Sequence, residues 1–435
     1  MRIGLQTWGS EGDARPFIAL AAGLVRAGHE VALAITDNAA RDYSGSAARF
    51  GFRLIEAPHP DKPTPEHGVQ VLREIVATGD PVRQAELLLR FGFDPVAGVM
   101  HDAARRLCAE NDAVIGHFFL FPLQVEAEKA GLPLIKVMLA HNCLPSREIC
   151  PPGLPDLGRW SYPLGWRLTR WAVNRIFLPR INALRQREGL APDRDVMTRS
   201  WISPVLNLVA VSPSLRPAPA DWAGRCSLSG FLRLPDDGGP DEALPPGLED
   251  FLSAGPPPVY FSFGSMLVRH PTAIREVAAI WEEAVRRAGC RAVFQLPGEE
   301  PGPLQGLDQA FVVPRAPHAR VFPRCAAVAH HGGAGTVQTT LLAGRPSVVV
   351  AHLADQFFWG DELARLGAAG PKLTRRELDA GTLAEALRRV LDSPDMQARA
   401  AALGAAMARE QGLDQAVRLI EERLAGRAAA SQGRR

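Results

Sequence analysis

Residues 330–336 read His330-His331-Gly332-Gly333-Ala334-Gly335-Thr336, and this stretch decides the fold. An apolar run that reads as a strand, Ala326–Ala329, precedes it, and a helical pattern to about Ala343 follows. A strand that breaks into glycines and re-forms as a helix is the strand-to-helix turn of a doubly wound parallel sheet. The glycines let a ligand approach the main chain closely. Unpaired N–H groups and the helix dipole favour an anion at that point. His331 adds a donor, charged or neutral, and Thr336 a hydroxyl. The stretch reads as a diphosphate cradle, although no P-loop lysine pattern, GxxxxGK[ST], occurs. Adjacent histidines do not converge on one ion as i,i+4 pairs do, so no metal is expected. The plainer alternative is a tight turn that needs its glycines for packing alone.

Outward from this turn the same alternation continues. Val259–Phe263 reads as a strand ending at Gly264-Ser265, small residues suited to phosphate, before a helix over about Thr272–Ala288. Ala292–Gln295, Phe311–Val313 and Ser347–Ala351 read as further strands. The last leads to Asp355-Gln356-Phe357-Phe358-Trp359-Gly360, where a carboxylate beside an amide suits sugar hydroxyls. The plainer reading of Asp355 is a helix N-cap. The tail from Arg375 is helical to about Leu424, and Ala425–Arg435 reads as frayed.

The first half is built alike. Ile3–Thr7, Val31–Ile35, Phe52–Ile55, Ala113–Gly116, Leu134–Leu139 and Val205–Val211 read as strands. A loop, Trp8–Arg15, separates the first from a helix expected to begin at Pro16. Trp8-Gly9-Ser10-Glu11-Gly12-Asp13 is not GxGxxG, so the dinucleotide fingerprint fails, and Asp13 is either a functional carboxylate or a helix cap. His117 and His141 follow strands and are weaker candidates, for catalysis and for the acceptor wall. The fold class is therefore α/β, two Rossmann-like doubly wound domains facing across a cleft. The expected boundaries are 1–233, a Pro/Gly/Asp-rich linker at 234–247, a second domain at 248–410, and a final helix, 411–435, crossing back to the first.

Composition narrows the function. At 435 residues and net charge +2 the chain is long enough for large cores and has no broad field to attract nucleic acid. No apolar run approaches the ~20 residues of a membrane span. The six cysteines include no CxxC pair, so neither a zinc ribbon nor a disulfide scaffold is indicated and a cytoplasmic location is expected. Residues 145–201 carry four of the eight tryptophans and many arginines, and Gly165–Arg187 suits a basic aromatic helix. Its Trp and Arg content fits either a helix packed on the first sheet or peripheral contact with a membrane face.

Together these motifs resemble the family-1 glycosyltransferases of GT-B fold, closest to the branch with sterol glucosyltransferases, glycopeptide-antibiotic glycosyltransferases and rhamnolipid rhamnosyltransferases. Gly9-Ser10-x-Gly12-Asp13 and Ala27-Gly28-His29-Glu30-Val31 are similar to the branch's N-terminal signatures. Ala316-Pro317-His318, Phe322-Pro323-Arg324, His330–Thr336 and Asp355–Gly360 resemble its donor signature in order and spacing. The resemblance implies an inverting, metal-independent transfer of a hexose from a UDP- or dTDP-sugar to a hydroxyl of a lipophilic acceptor, with no cofactor. It implies that Gly12, Gly264, Ser265, Arg315, Pro317, His331, Gly333, Ala334, Gly335, Thr336, Asp355 and Gln356 serve the donor. Trp8, Ser10, His141 and Trp359 would line the acceptor side, and Asp13 would be the base, with His117 second. Arg315 stands where many relatives carry Trp and would lie against the nucleotide's base. Two departures stand out: many relatives carry a His as base in the N-terminal loop, where this chain offers Asp13 as the glycopeptide branch does, and a ribose-binding Glu at the place of Thr339. Other readings are a nucleotide-sugar epimerase of the same fold and a catalytically silent binding protein. Acceptor walls are expected from 57–95 and 139–201.

Overall fold

The computed structural model describes residues 1–60, 64–234, 243–268, 270–299, 302–304 and 306–432. The chain divides into two compact units, one of residues 1–62, 80–235 and 410–435, the other of 63–79 and 236–409. Most of the expected linker, 235–242, lies outside the described residues.

The first unit holds seven strands: β1 (Arg2–Gly9), β2 (Glu30–Asp37), β3 (Arg53–Glu56), β4 (Ala113–His117), β5 (Leu134–Met138), β6 (Leu206–Val209) and β7 (Ser227–Leu228). They pair in parallel in the order β3-β2-β1-β4-β5-β6-β7. β1 and β4 are buried along most of their length, as a sheet covered on both faces requires. The last helix, Gly412–Gln432, belongs to this unit, and its Ala416, Val417, Ile420 and Leu424 join the core of Ile3, Leu5 and Phe17. Each such Val, Leu or Ile side chain is worth about 1.5–3 kcal/mol when buried. Arg26–Asp414 pins the same helix to Glu11–Arg26, and His29–Glu421 pins it to the turn before β2.

Three expectations change here. The first helix begins at Glu11, not Pro16, because Ser10 and Asp13 three residues later cap it reciprocally and leave Pro16 inside the helix. The segment 63–79, expected in the N-terminal domain, belongs to the second unit: its helix Pro65–Thr78 carries Arg73, which pairs with Glu276 at 3.0 Å. The final helix runs to Gln432 rather than ending near Leu424, in keeping with the high helix propensity of Ala428–Ala430.

The second unit repeats the plan with β8 (Val259–Ser262), β9 (Ala292–Gln295), β10 (Gly302–Leu304), β11 (Leu307–Val313), β12 (Ala327–His330), β13 (Ser347–Ala351) and β14 (Leu373–Thr374). The order is β10-β11-β9-β8-β12-β13-β14, parallel except for β10 against β11. Its core centres on Trp281, with Phe261, Phe263 and Phe294 around it.

Candidate active site

In an open parallel sheet, ligands bind beyond the carboxyl ends of the strands where the strand order reverses. The reversal falls between β1 and β4 in the first sheet and between β8 and β12 in the second. Asp13, His117, Gly264-Ser265 and His331–Thr336 lie at or just after the ends of those four strands, while Asp355-Gln356 follow β13.

In the second unit, β12 pairs His330 with Ser262 of β8, which sets the next residue, His331, beside Gly264. The imidazole is clamped. A Cβ on Gly264 would stand 2.9 Å from its Cε1, and one on Gly333 only 2.4 Å from its Nε2. Gly264 also has φ +53°, a left-handed conformation that favours glycine. Both glycines are needed because a ring lies between them. His330 is a different kind of residue: fully buried, its Nδ1 accepts from the Gly332 N–H at 3.0 Å and its Nε2 lies 3.0 Å from the Ser347 hydroxyl. It shapes the turn, whereas the His331 ring lies between Gly264 and Gly333 beside the helix start.

Gly333 is the N-cap of the helix Ala334–Leu342 and offers no side-chain cap, so the first N–H groups, including those of Gly335 and Thr336, are available to an anion. Burial pushes the His331 imidazole down to about 4, the Ser262 backbone opposing. The imidazole is therefore neutral at pH 7, with the Ser262 carbonyl as a partner for its one N–H. Ser265 is exposed beyond Gly264, Arg315 is exposed after β11, and Pro317 is the N-cap of the turn His318–Val321.

After β13 the turn is tight: Ala354 has φ +54°, unusual outside glycine. Asp355 occupies the N-cap position of Gln356–Arg365, yet its side chain makes no cap bond. The Gln356 carbonyl oxygen accepts from the N–H groups of His352 and Leu353 at 2.8 and 3.2 Å. That oxygen is spent on shaping the turn, so a sugar would meet only the amide N–H₂, less than the sequence implies. Trp359 is 1 % exposed and packs inside the second unit, so it has no face for an acceptor; it shares the buried helix face of Gln356, Gly360 and Leu363.

In the first unit, Asp13 is half-buried at the third position of its helix. Its Oδ2 accepts from the Ser10 N–H at 2.8 Å and the Ser10 hydroxyl at 3.0 Å. Asp13 is thus a cap, as the plainer reading had it. Burial raises its carboxyl above the ordinary range, the Ser10 bonds oppose, and the Asp37 carboxylate adds to the rise. Gly12, expected to serve the donor, is exposed in this helix's first turn, where an added Cβ would meet only the Ser10 hydroxyl at 3.5 Å.

Asp37 was not singled out from the sequence. It ends β2 opposite Gly9, is buried, and holds Arg41 at 3.0 Å and the Tyr43 hydroxyl at 2.5 Å. Its signal was its place at a strand's carboxyl end beside the first turn.

His117 ends β4, buried against Phe118 with ring centres 4.8 Å apart, and burial pushes it down to about 3, with Lys136 adding. Lys136 is itself fully buried and pushed down to about 7, its Nζ near the Phe118 and Leu120 carbonyls at 3.4 and 3.3 Å. His141 stacks on Trp222 at 5.9 Å and its Nε2 meets the Arg216 carbonyl at 3.2 Å, which makes it a structural residue. Trp8 closes β1 and stacks on Phe119 at 5.9 Å, which stacks in turn on Trp201 at 5.8 Å. Phe119 is the half-buried member of this pile. Trp201 stands out in the sequence by composition; Phe119 does not, because its place shows only when β1 and β4 pair.

Among the described residues one group has metal-ligand spacing, His101, Glu126 and Glu188. Lys129 and Arg105 already share Glu188, so it reads as an ion-pair network.

His117, His330, His331 and His352 are all pushed below their ordinary 6.5, to about 3, 3, 4 and 3, chiefly by burial. The unfolded chain binds more protons below pH 6.5, so their contribution to stability is whole above that pH and lost as pH falls toward the folded values. Each costs about 1.4 kcal/mol per pH unit inside the window. Denaturation midpoints are expected to drop steeply from pH 6.5 downward, and His352→Gln should flatten the slope by about one proton. A midpoint independent of pH there would contradict the burial.

Residues 298–422 match the family described as erythromycin biosynthesis protein CIII-like, C-terminal domain. The chain is 32% identical to O-mycaminosyltylonolide 6-deoxyallosyltransferase of Streptomyces fradiae over 97% of each. It is 30% identical to vancomycin aglycone glucosyltransferase of Amycolatopsis orientalis, again over 97% of each. Among solved structures, the Streptomyces sp. SF2575 glycosyltransferase SsfS6, complexed with thymidine diphosphate, superposes with a TM-score of 0.62. It covers 97% of this chain and 99% of that one at 20% identity, a likeness of fold.

Proposed function

The chain belongs to the family-1 glycosyltransferases of GT-B fold, and from that premise we propose that it moves a hexose from a nucleotide diphosphate sugar to a lipophilic acceptor's hydroxyl, with inversion and without a metal. The observation that carries the donor half is the uncapped start of Ala334–Leu342 with His331 clamped beside it. Those N–H groups take the diphosphate, whose charge favours the protonated His331 ring, and His331 then donates to it as well as to Ser262. As the sugar–oxygen bond breaks, negative charge grows on the diphosphate where these fixed dipoles already point. They do the work a divalent ion would otherwise do. Asp355 and the Gln356 amide meet the sugar hydroxyls. The fold neighbour that holds thymidine diphosphate supports a dTDP- or UDP-sugar.

The acceptor half rests on Asp13. An inverting transfer forms the new bond as the old one breaks, and the attacking hydroxyl loses its proton in that step. Asp13, raised by burial, accepts it, while Ser10 holds the carboxylate through Oδ2. The stack of Trp8, Phe119 and Trp201 gives an apolar wall suited to a lipophilic aglycone. The relatives are named for transfers to O-mycaminosyltylonolide and the vancomycin aglycone, which favours a natural-product aglycone over a sterol or lipid.

The test is product analysis of dTDP- and UDP-hexoses with and without a panel of polyketide, glycopeptide and sterol acceptors. Acceptor-dependent donor consumption with a β-linked product from an α-linked donor is expected. Release of an epimerised sugar from donor alone would establish the epimerase instead, and neither turnover nor donor binding the silent protein. Activity is expected to survive excess chelator. Loss on chelation with rescue by Mn²⁺ would sink the donor model.

A further inference from the structure

Six of the eight large apolar side chains exposed among the described residues lie between 154 and 171: Leu154, Leu157, Trp160, Leu164, Leu168 and Trp171. Trp160 is 79% and Trp171 64% exposed. Leu164, Leu168 and Trp171 follow one another at i, i+4 and i+7 on the helix Tyr162–Arg187, which makes them one stripe. The same helix buries Tyr162, Trp166, Ile176 and Phe177 on its other side. Its outward face should therefore be polar, and in its first half it is not. Single exposed apolar residues need no explanation, but six within residues 154–171, two of them tryptophans, do.

The charge around these residues is one-sided. From 149 to 187 the only acid is Asp156, which is occupied by the Tyr162 hydroxyl at 2.8 Å and the Gly158 N–H at 2.9 Å. Arg159, Arg167 and Arg175 are exposed and enter no ion pair among the described residues. Arg175 lies over the Trp171 ring at 5.8 Å. No helix among the described residues is long and apolar enough to cross a membrane.

We propose that this face seats the protein on an anionic phospholipid surface, with Trp160 and Trp171 entering the headgroup boundary and Arg159, Arg167 and Arg175 meeting the phosphates. Tryptophan favours that boundary because its ring is apolar and its N–H is not. An apolar stripe rimmed by arginine is the pattern of an interfacial helix. A second copy of the chain fits less well. Two such faces would set arginine against arginine, with one already engaged acid apiece to offset them. An anionic surface meets the same charges with the opposite sign.

The test is flotation of the full chain with vesicles of phosphatidylcholine alone and with added phosphatidylglycerol. Binding to the anionic vesicles only is expected, weakening as salt screens the arginines, with a blue shift in tryptophan emission. Arg159→Gln and Arg167→Gln should each lower the partition coefficient about fivefold, from ~1 kcal/mol per basic residue. Trp160→Ser with Trp171→Ser should lower it about tenfold or more. All four positions are exposed, so circular dichroism and melting should not change. If the tryptophan pair nevertheless misfolds, the arginine variants carry the test. No flotation at low salt, or flotation indifferent to these substitutions, overturns the proposal. So does a dimer in solution that the tryptophan changes break, which would assign the face to a second copy.

Discussion

Asp13→Asn is expected to lower turnover by about 10²–10⁴-fold, the usual worth of a positioned base. The substitution keeps the shape, and an amide oxygen can still accept from Ser10, so the cap that Asp13 makes survives. Nucleotide affinity should stay near its original value, because His331 and the start of Ala334–Leu342 are untouched. The pH profile sharpens the test. The base works as carboxylate, so turnover rises with pH through the raised pKa of Asp13 and reaches a plateau above it. Asp37 contributes to that rise by like-charge repulsion, so Asp37→Asn should move the acid limb to lower pH. Arg41 and Tyr43 hold Asp37 and can still bond an amide, which keeps the change local. If Asp13→Asn kept near-normal turnover, the base would have to be sought at His117, whose depressed pKa leaves it neutral and able to accept a proton. If the variant lost donor binding and melted early, Asp13 would be a cap and no more.

The two sheets were legible because parallel strands buried on both faces leave short apolar runs, and those runs fell where β1, β2, β4, β5, β8, β9, β12 and β13 lie. The strand-to-helix turn after β12, the proposed donor cradle, was legible because glycines between an apolar strand and a helical pattern mark such a turn. Three things were not. The start of the first helix was hidden because Pro16 looks like a first-turn proline, while Ser10 and Asp13 look equally like loop residues. The segment 63–79 follows a strand of the first sheet, and nothing local reveals that Arg73 will find Glu276 two hundred residues on. The local parts of Gln356 and Trp359 were not legible, because a motif gives residue types but not which oxygen is spent on the turn or which ring faces the core. Phe119 and Asp37 belong to the same class: each matters through a partner on a neighbouring strand, and strand pairing is not written in either segment alone.

The second large effect is expected at Gly333. Alanine there would place its Cβ 2.4 Å from His331 Nε2, inside the contact distance of any real methyl group. The ring has nowhere to retreat, because the main chain at Gly264 closes its other side, and that glycine is so near that its own Cβ would stand 2.9 Å away. Gly333→Ala should therefore displace His331 from the diphosphate while leaving the helix start itself intact, since alanine suits φ −65°. Losing one such preorganised donor costs about 10²–10³-fold in turnover in comparable sites. Nucleoside diphosphate affinity should fall with it. His331→Ala should cost a similar amount, and the two together little more than either alone. They act through one ring, and coupled neighbours are not additive. The cycle separates the clamp from a mere packing role. Full additivity would mean that Gly333 acts on the backbone and not through His331. Loss of stability with nucleotide affinity unchanged in all three variants would leave the turn as packing, and the donor cradle would have to be abandoned.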